Sequence, residues 1–297
     1  MADNSISCEM VHSIPFAKQS FLAIDVGLGY IVVGGNDGFV ALVDQKTKKV
    51  IECDSEHKKR VLTVALSIDP DEDPEFVSGD EKGNVCLWDV ESRNVIEVWD
   101  DNSAKVNALL WQNESCFFIA RGDGTIQLQC VGCADPEFEL EGHTDGVMSI
   151  ALHKDLLASG SKDKTIRLWD LDEEEILKVL EGHEDAVNSV HFSSDGKLLV
   201  SGGQDGVIGI WDVKTGKRLQ LWQAHTSAVQ VVKFLGKTKK IVSAGSDNSM
   251  IIWDEEKPCF TLKKDSWKVM GLHCTKDQII CADKEGMISF FRVSNLT

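Results

Sequence analysis

Ile166-Arg167-Leu168-Trp169-Asp170 decides how this chain is read, because the phrase does not occur once. It returns as Ile208-Gly209-Ile210-Trp211-Asp212 and Ile251-Ile252-Trp253-Asp254, and stands earlier as Val85-Cys86-Leu87-Trp88-Asp89. A degenerate copy, Val40-Ala41-Leu42-Val43-Asp44, and two weaker ones, Ile126-Gln127-Leu128-Gln129-Cys130 and Ile288-Ser289-Phe290-Phe291-Arg292, make seven. The phrases end at 44, 89, 130, 170, 212, 254 and 292, in steps of 45, 41, 40, 42, 42 and 38. A step of about 40–45 residues marks one supersecondary unit that buries its apolar face only against its neighbours, so copy number sets size. The length prior, which would split 297 residues into about two domains, therefore does not apply.

Three further features recur in phase. A histidine precedes each of several phrases: Gly142-His143, Gly182-His183, Ala224-His225, and His57 in the second repeat. Four residues later comes a β-branched start at Val61, Val106, Val147, Val187, Val229 and Val269, with Phe21 in the first repeat. Seven residues before the phrase ends stands a turn aspartate (Asp37, Asp123, Asp163, Asp205, Asp247), with Lys82 and Glu285 as exceptions. In the fifth repeat Val187–Phe192, 198–201, 207–211 and 218–221 alternate or cluster apolar residues between turn signals, which predicts four short antiparallel strands. No sustained helical period competes with this reading.

These residues resemble the WD-repeat family over nearly the whole chain. The resemblance implies an all-β, seven-bladed propeller forming one domain, with blades near 17–56, 57–101, 102–139, 140–181, 182–223, 224–264 and 265–297. The seventh repeat ends after its third strand, so the stretch 8–13 is expected to supply the missing outer strand and close the ring.

Charge and composition narrow the function. The net charge is −17 and the pI near 4.9, which opposes nucleic acid and anionic membranes as partners. The start, Met1-Ala2-Asp3-Asn4-Ser5, lacks the basic and apolar regions of a secretory leader. No apolar run approaches the roughly 20 residues of a membrane span. Nine cysteines are scattered, several inside apolar strands, as suits buried thiols in a reducing compartment, cytoplasmic or nuclear and not secreted.

Ser, His and Asp together invite a hydrolase triad, but the set repeats. His143, Ser159, Asp163 and Trp169 recur as His183, Ser201, Asp205, Trp211 and as His225, Ser243, Asp247, Trp253. Catalysis needs one constellation, whereas a blade-locking hydrogen-bond chain is needed in every blade. The chain is thus expected to be no enzyme. Blades one, three and seven carry Val33, Ile119 and Cys281 at the serine position, which predicts more reliance on apolar packing. Cys130-Val131-Gly132-Cys133 is a lone Cys-x-x-Cys, so no metal site is expected. Arg121-Gly122-Asp123 coincides with the structural turn, and Asn113-Glu114-Ser115 is a glycosylation acceptor only on a secreted chain. No phosphate loop, dinucleotide turn or nucleophile elbow is present, and no cofactor is expected.

Family propellers bind partners on the face over the channel mouth, and that register transfers residue by residue. One position past each strand start gives a ring of Leu22, Leu62, Asn107, Met148, Asn188, Gln230 and Met270, with Met270, Leu22 and Leu62 as an apolar arc. Trp267 stands beside it, where other blades have Asp145, Asp185 or Ser227. It is either an exposed interface anchor or a brace for a blade lacking Trp-Asp, and both readings stay open. Lys58, Lys59, Arg60 and Lys105 cluster on blades two and three, Lys268 and Lys284 on blade seven, and Asp145, Glu184 and Asp185 on blades four and five. The expected function is a monomeric protein-interaction scaffold within a multisubunit complex. Its partner would be a peptide or loop carrying a hydrophobic anchor and acidic or phosphorylated residues. The alternative is a subunit that recognises substrates or modified peptides for a ubiquitin ligase or methyltransferase. The ligase version is weakened because no Trp-Asp-x-Arg occurs. An RNA-binding role, through Lys237, Lys239 and Lys240, runs against the net charge. A G-protein β-type role lacks the expected N-terminal coiled coil.

Overall fold

A computed structural model describes residues 6–16, 19–67, 74–100, 104–275 and 277–295; residues 1–5, read above for a leader, lie outside them. Seven four-stranded antiparallel sheets make a seven-bladed propeller. Blade five shows the unit, with strands Val187–Phe192, Leu198–Gly203, Val207–Asp212 and Arg218–Gln223 paired in sequence order. Blades one to four and six repeat it over 21–52, 61–99, 106–140, 147–180 and 229–263. Blade seven has three strands of its own, Val269–Cys274, Gln278–Asp283 and Met287–Ser294. Its fourth is Ser7–Pro15, antiparallel from Ser7 opposite Ser294 to Pro15 opposite Met287. The closing strand is thus longer than the 8–13 stretch, and it leaves no open seam in the ring. Among the described residues the one helical element is the 3-10 turn Asn36–Gly38, and no helix is long and apolar enough to cross a membrane.

The core lies between blades as radial layers. Ala158, Ile166, Leu168 and Leu180 of blade four, for example, pack on Val187, Val190, Leu199 and Trp211 of blade five. The β-branched starts have a packing reason. A methyl placed on Gly79 would sit 2.5 Å from Val106 Cγ1, and on Gly202 2.5 Å from Val229 Cγ1. Gly34, Gly79, Gly160 and Gly202 of the second strands thus each receive the next blade's valine, and filling that notch overpacks the layer at a cost of about 1–3 kcal/mol. Blades one and three meet the expectation of apolar packing with aromatic clusters. Phe16, Phe21 and Phe39 lie ring to ring at one, and at the other Phe117 lies against Trp111 and against Trp99 of blade two.

Candidate interaction face

A β-bulge in every first strand builds the channel mouth. Pairing of strand one with strand two slips between the start and the residue two later in all seven blades: Phe21/Ala23, Val61/Thr63, Val106/Ala108, Val147/Ser149, Val187/Ser189, Val229/Val231 and Val269/Gly271. The skipped residue is re-aimed out of the ladder. It is in each case the ring residue named from the sequence, and all seven line a central cavity of about 800 Å3. The polar members are largely committed, Asn107 and Asn188 to the neighbouring blade and Gln230 within its own. Asn107 Nδ2 donates to Val147 O (2.7 Å), Asn188 Nδ2 to Val229 O (3.0 Å), and Gln230 Nε2 to Ser246 Oγ (2.7 Å). Leu22, Leu62 and Met270 have no polar group to commit, so the arc offers bare apolar surface.

Outside the ring runs a rim of backbone pairs that the sequence does not announce. The residue just before each strand start accepts, through its carbonyl, the N–H of the residue just after strand two. The pairs include Glu81 to Arg60 (3.0 Å), Gly122 to Lys105 (2.9 Å), Lys162 to Gly146 (3.0 Å) and Lys284 to Lys268 (2.8 Å). This pairing sets which charges meet. Arg60 donates twice to Glu81 Oε2, through Nε (2.8 Å) and Nη2 (2.6 Å), so its charge is largely neutralised within its own blade. The Arg60 guanidinium holds the Glu81 carboxyl below its usual range. Lys105 is half-buried, and burial, aided by the Lys162 and Arg60 cations, lowers its pKa while Asp145 opposes. Within the cationic cluster on blades two and three, Arg60 is thus paired inside its own blade. Blade seven differs in what this pairing joins: two exposed lysines, with the Lys284 N–H donating to Lys268 O. With Leu22, Met270, Gln230, Gly245 and Ser246 they line a pocket of about 190 Å3 beside the channel mouth.

Trp267 is not an exposed anchor. It is 4% exposed, its Nε1–H donates to Asp283 Oδ2 (3.0 Å), and its ring lies against Phe291. Of the two readings left open, the brace is the one the structure adopts. Blade seven has neither the histidine nor the Trp-Asp tryptophan, and the indole N–H meets Asp283 where in blade two His57 meets Asp80.

The quartets are complete in blades four, five and six. His143 Nδ1 meets Asp163 Oδ2 (2.7 Å), its Nε2 meets Ser159 Oγ (2.7 Å), and Trp169 Nε1 donates to the same Oγ (2.8 Å). His183, Ser201, Asp205 and Trp211 repeat this, as do His225, Ser243, Asp247 and Trp253. Because Trp can only donate, the serine oxygen accepts from indole and gives its proton to imidazole, leaving Nδ1–H for the aspartate. Burial lowers the His143 and His225 pKa values against the pull of their aspartates, which keeps both rings neutral. Burial would raise Asp163, but hydrogen bonds from Thr165 and His143 outweigh it and hold the carboxyl at about 2. The serines are fully buried, and their hydroxyls are spent on this chain rather than aimed at any substrate.

Blade two also carries a full quartet, which the turn-aspartate register missed. His57 meets Asp80 Oδ2 (3.0 Å) and Ser78 Oγ (2.7 Å), and Trp88 Nε1 donates to Ser78 Oγ (2.7 Å). The acid has moved two residues back, onto the end of strand two, where Oδ1 accepts the Lys82 and Asn84 N–H groups. Asp283 of blade seven sits at the same place and takes the Glu285 and Met287 N–H groups. In blade three Arg121 occupies it, 3% exposed and donating to Gln127 Oε1 (2.7 Å), so the Arg-Gly-Asp stretch presents no free arginine.

A second ring lies deeper, three residues beyond the first. Blades five, six, seven and one place His191, Lys233, His273 and Asp25 there in sequence. The Phe234 N–H donates to His191 Nδ1 (3.3 Å) and the Leu66 N–H to Asp25 Oδ2 (2.9 Å), so both side chains peg adjacent blades. Burial, then the Lys233 charge, lowers His191 to about 3 and His273 to about 4; burial raises Asp25. The imidazoles are neutral at pH 7 and serve as fixed dipoles.

Comparison with known proteins matches a family model described as "WD domain, G-beta repeat" to residues 134–170, 174–212 and 216–254. The chain is 30% identical to Elongator complex protein 2 of Arabidopsis thaliana over 201 residues, covering 56% of this chain and 24% of that protein. It is 39% identical to WD repeat-containing protein pop2 of Schizosaccharomyces pombe over 62 residues, 21% of this chain and 9% of that protein. It is 40% identical to coronin-7 of Rattus norvegicus over 108 residues, 32% of this chain and 12% of that protein. The matched stretch thus spans at most about a quarter of these relatives.

Proposed function

The chain belongs to the WD-repeat β-propeller family, and from that premise we propose that it is a non-catalytic protein-interaction scaffold of a multisubunit complex in the cytoplasm or nucleus. Its binding sector lies at the channel mouth over blades seven and one. One observation carries the assignment: Lys268 and Lys284, tied through their backbone, line a 190 Å3 pocket together with the apolar Met270 and Leu22. Two lysines bordering one pocket favour a carboxylate or phosphoryl group from a partner. The adjoining apolar arc supplies the desolvated surface that anchors such a contact. A relative named as a complex subunit, Elongator complex protein 2, supports the scaffold class. The preferred ligand is a peptide or loop with an apolar side chain next to an acidic or phosphorylated one. A photo-crosslinking residue placed at position 270 tests this. It should capture a discrete partner that the same residue at position 219, on the outer wall, does not. Equal capture at both positions would defeat the assignment.

A further inference from the structure

Blade three departs from its neighbours at the end of its third strand, where Gln129-Cys130 replaces Trp-Asp. In other blades that aspartate caps the following turn: Asp170 Oδ1 accepts the Asp172 N–H (3.0 Å), and Asp212 Oδ1 the Thr215 N–H (2.7 Å). A cysteine cannot do this. Instead Cys130 lies directly opposite Cys116 of the second strand, and the two are joined as a disulfide. Glu137 reaches back from beyond the turn, its Oε2 3.5 Å from Cys130 Sγ. The two sulfurs and a Glu137 carboxylate oxygen all lie within 4.8 Å of one another, with both cysteines half-buried and Glu137 exposed. The turn is pinned independently of the thiols. The Cys133 N–H donates to Cys130 O (3.1 Å), and Cys133 O accepts from Trp99 Nε1 (3.0 Å) and Gln129 Nε2 (2.6 Å). Sequence spacing hid this cluster, because the strand register rather than the Cys-x-x-Cys brings the second sulfur in.

We infer that, in the reduced chain, Cys116, Cys130 and Glu137 form a binding site for a thiophilic divalent cation, with Zn2+ the best match and the fourth position open to solvent. Two thiolates and a carboxylate suit that ion, and sulfurs at about 2.3 Å from it sit about 3.8 Å apart, a spacing that cross-strand neighbours reach by rotating side chains. Disulfide and cation are exclusive states of the same atoms. Opening the disulfide takes two electrons and two protons from an external dithiol, which is itself oxidised to a disulfide. The cation then displaces the two thiol protons to solvent. Either state ties strand two to the turn that the missing aspartate leaves uncapped. Four other thiols, half-buried or buried, are less ready to ionise: burial raises Cys8 and Cys53 to about 11 and Cys86 and Cys274 to about 12.

The test titrates Co2+ into the full chain reduced with a phosphine, following the thiolate-to-cobalt charge-transfer band, with Zn2+ as competitor. One equivalent should saturate the band, and Zn2+ should remove it. Cys116→Ser and Cys130→Ser should each weaken binding by about 100-fold or more, and Glu137→Gln by about 10-fold. Cys133→Ser should leave it unchanged. The oxidised wild type, which needs no substitution, should show no band. Circular dichroism and the thermal transition of each variant separate ligand loss from unfolding. A band that survives oxidation or Cys116→Ser in a folded chain, or one that needs Cys133, would overturn the assignment.

Discussion

Asp80 offers the strictest test of how the blades are locked. Its carboxylate is fully buried and accepts from His57 Nδ1 (3.0 Å), Asn84 Nδ2 (3.0 Å), and the Lys82 (2.7 Å) and Asn84 (3.1 Å) amides. Asp80→Ala removes every acceptor at once and leaves the His57 N–H and a turn amide without partners. Hydrogen bonds to a charged group contribute about 1.5–3 kcal/mol each but are not additive, and breaking a buried charged network costs about 3–5 kcal/mol. We expect a loss of about 3–4 kcal/mol, read as a lower urea midpoint at unchanged slope. Asp37→Asn is the matched control. Asp37 is the turn aspartate of blade one, exposed at φ 54°, where asparagine is equally at home. Its midpoint should not move. If Asp80→Ala cost under about 1 kcal/mol, or Asp37→Asn as much as Asp80→Ala, the account of the displaced aspartate would be wrong.

Four other outcomes follow from the same geometry. Asp163 is held at about 2 when folded, below its ordinary value of about 3.9, so its contribution is full above about pH 4 and is lost as pH falls toward 2. Acid titration of stability should therefore be steeper for wild type than for Asp163→Asn. Asp283 has the opposite sign: burial raises its pKa, so its contribution is full at low pH and lost as pH rises through the folded value. The stability of Asp283→Asn relative to wild type should improve between pH 4 and 7, as measured by urea midpoints. Trp267→Phe keeps the ring near Phe291 but deletes the bond to Asp283, costing about 1.5–3 kcal/mol while partner capture is retained; selective loss of capture would restore it as an interface anchor. Deleting residues through Pro15 removes the outer strand and Ile14 from the layer with Phe21, Ile280 and Phe290. Calorimetry should show a fall of more than about 3 kcal/mol, comparable to emptying a large core site, and an unchanged transition would refute closure by this strand.

What was legible in the chain was whatever repeats. Seven phrases in phase fixed the number of blades, and the β-branched start fixed the channel ring, because the bulge occurs at the same step in every blade. The blade-two quartet escaped because the aspartate was sought in the turn. The clue was present, since both blades lacking the turn aspartate, at Lys82 and Glu285, have an aspartate two residues earlier, at Asp80 and Asp283. Charge pairing on the rim was not legible. Whether Arg60 meets Glu81, or Lys268 meets Lys284, depends on a backbone bond between residues 16 to 21 apart. Trp267 was ambiguous for a related reason: its position beside the rim is exposed in blades that own a histidine, and buried only where that histidine is missing.

The central claim is that one sector of the channel mouth, over blades seven and one, takes the partner. Quantitative affinity capture tests it most directly, comparing wild type with Leu22→Asp/Met270→Asp/Lys268→Glu/Lys284→Glu and with Lys58→Glu/Lys59→Glu on blade two, all verified as folded by circular dichroism. The account predicts that the fourfold variant loses its specific partners by at least about 100-fold, the scale of a hot spot near 3 kcal/mol, while the blade-two variant retains them. Equal recovery by wild type and the fourfold variant, or loss with the blade-two variant alone, would contradict it.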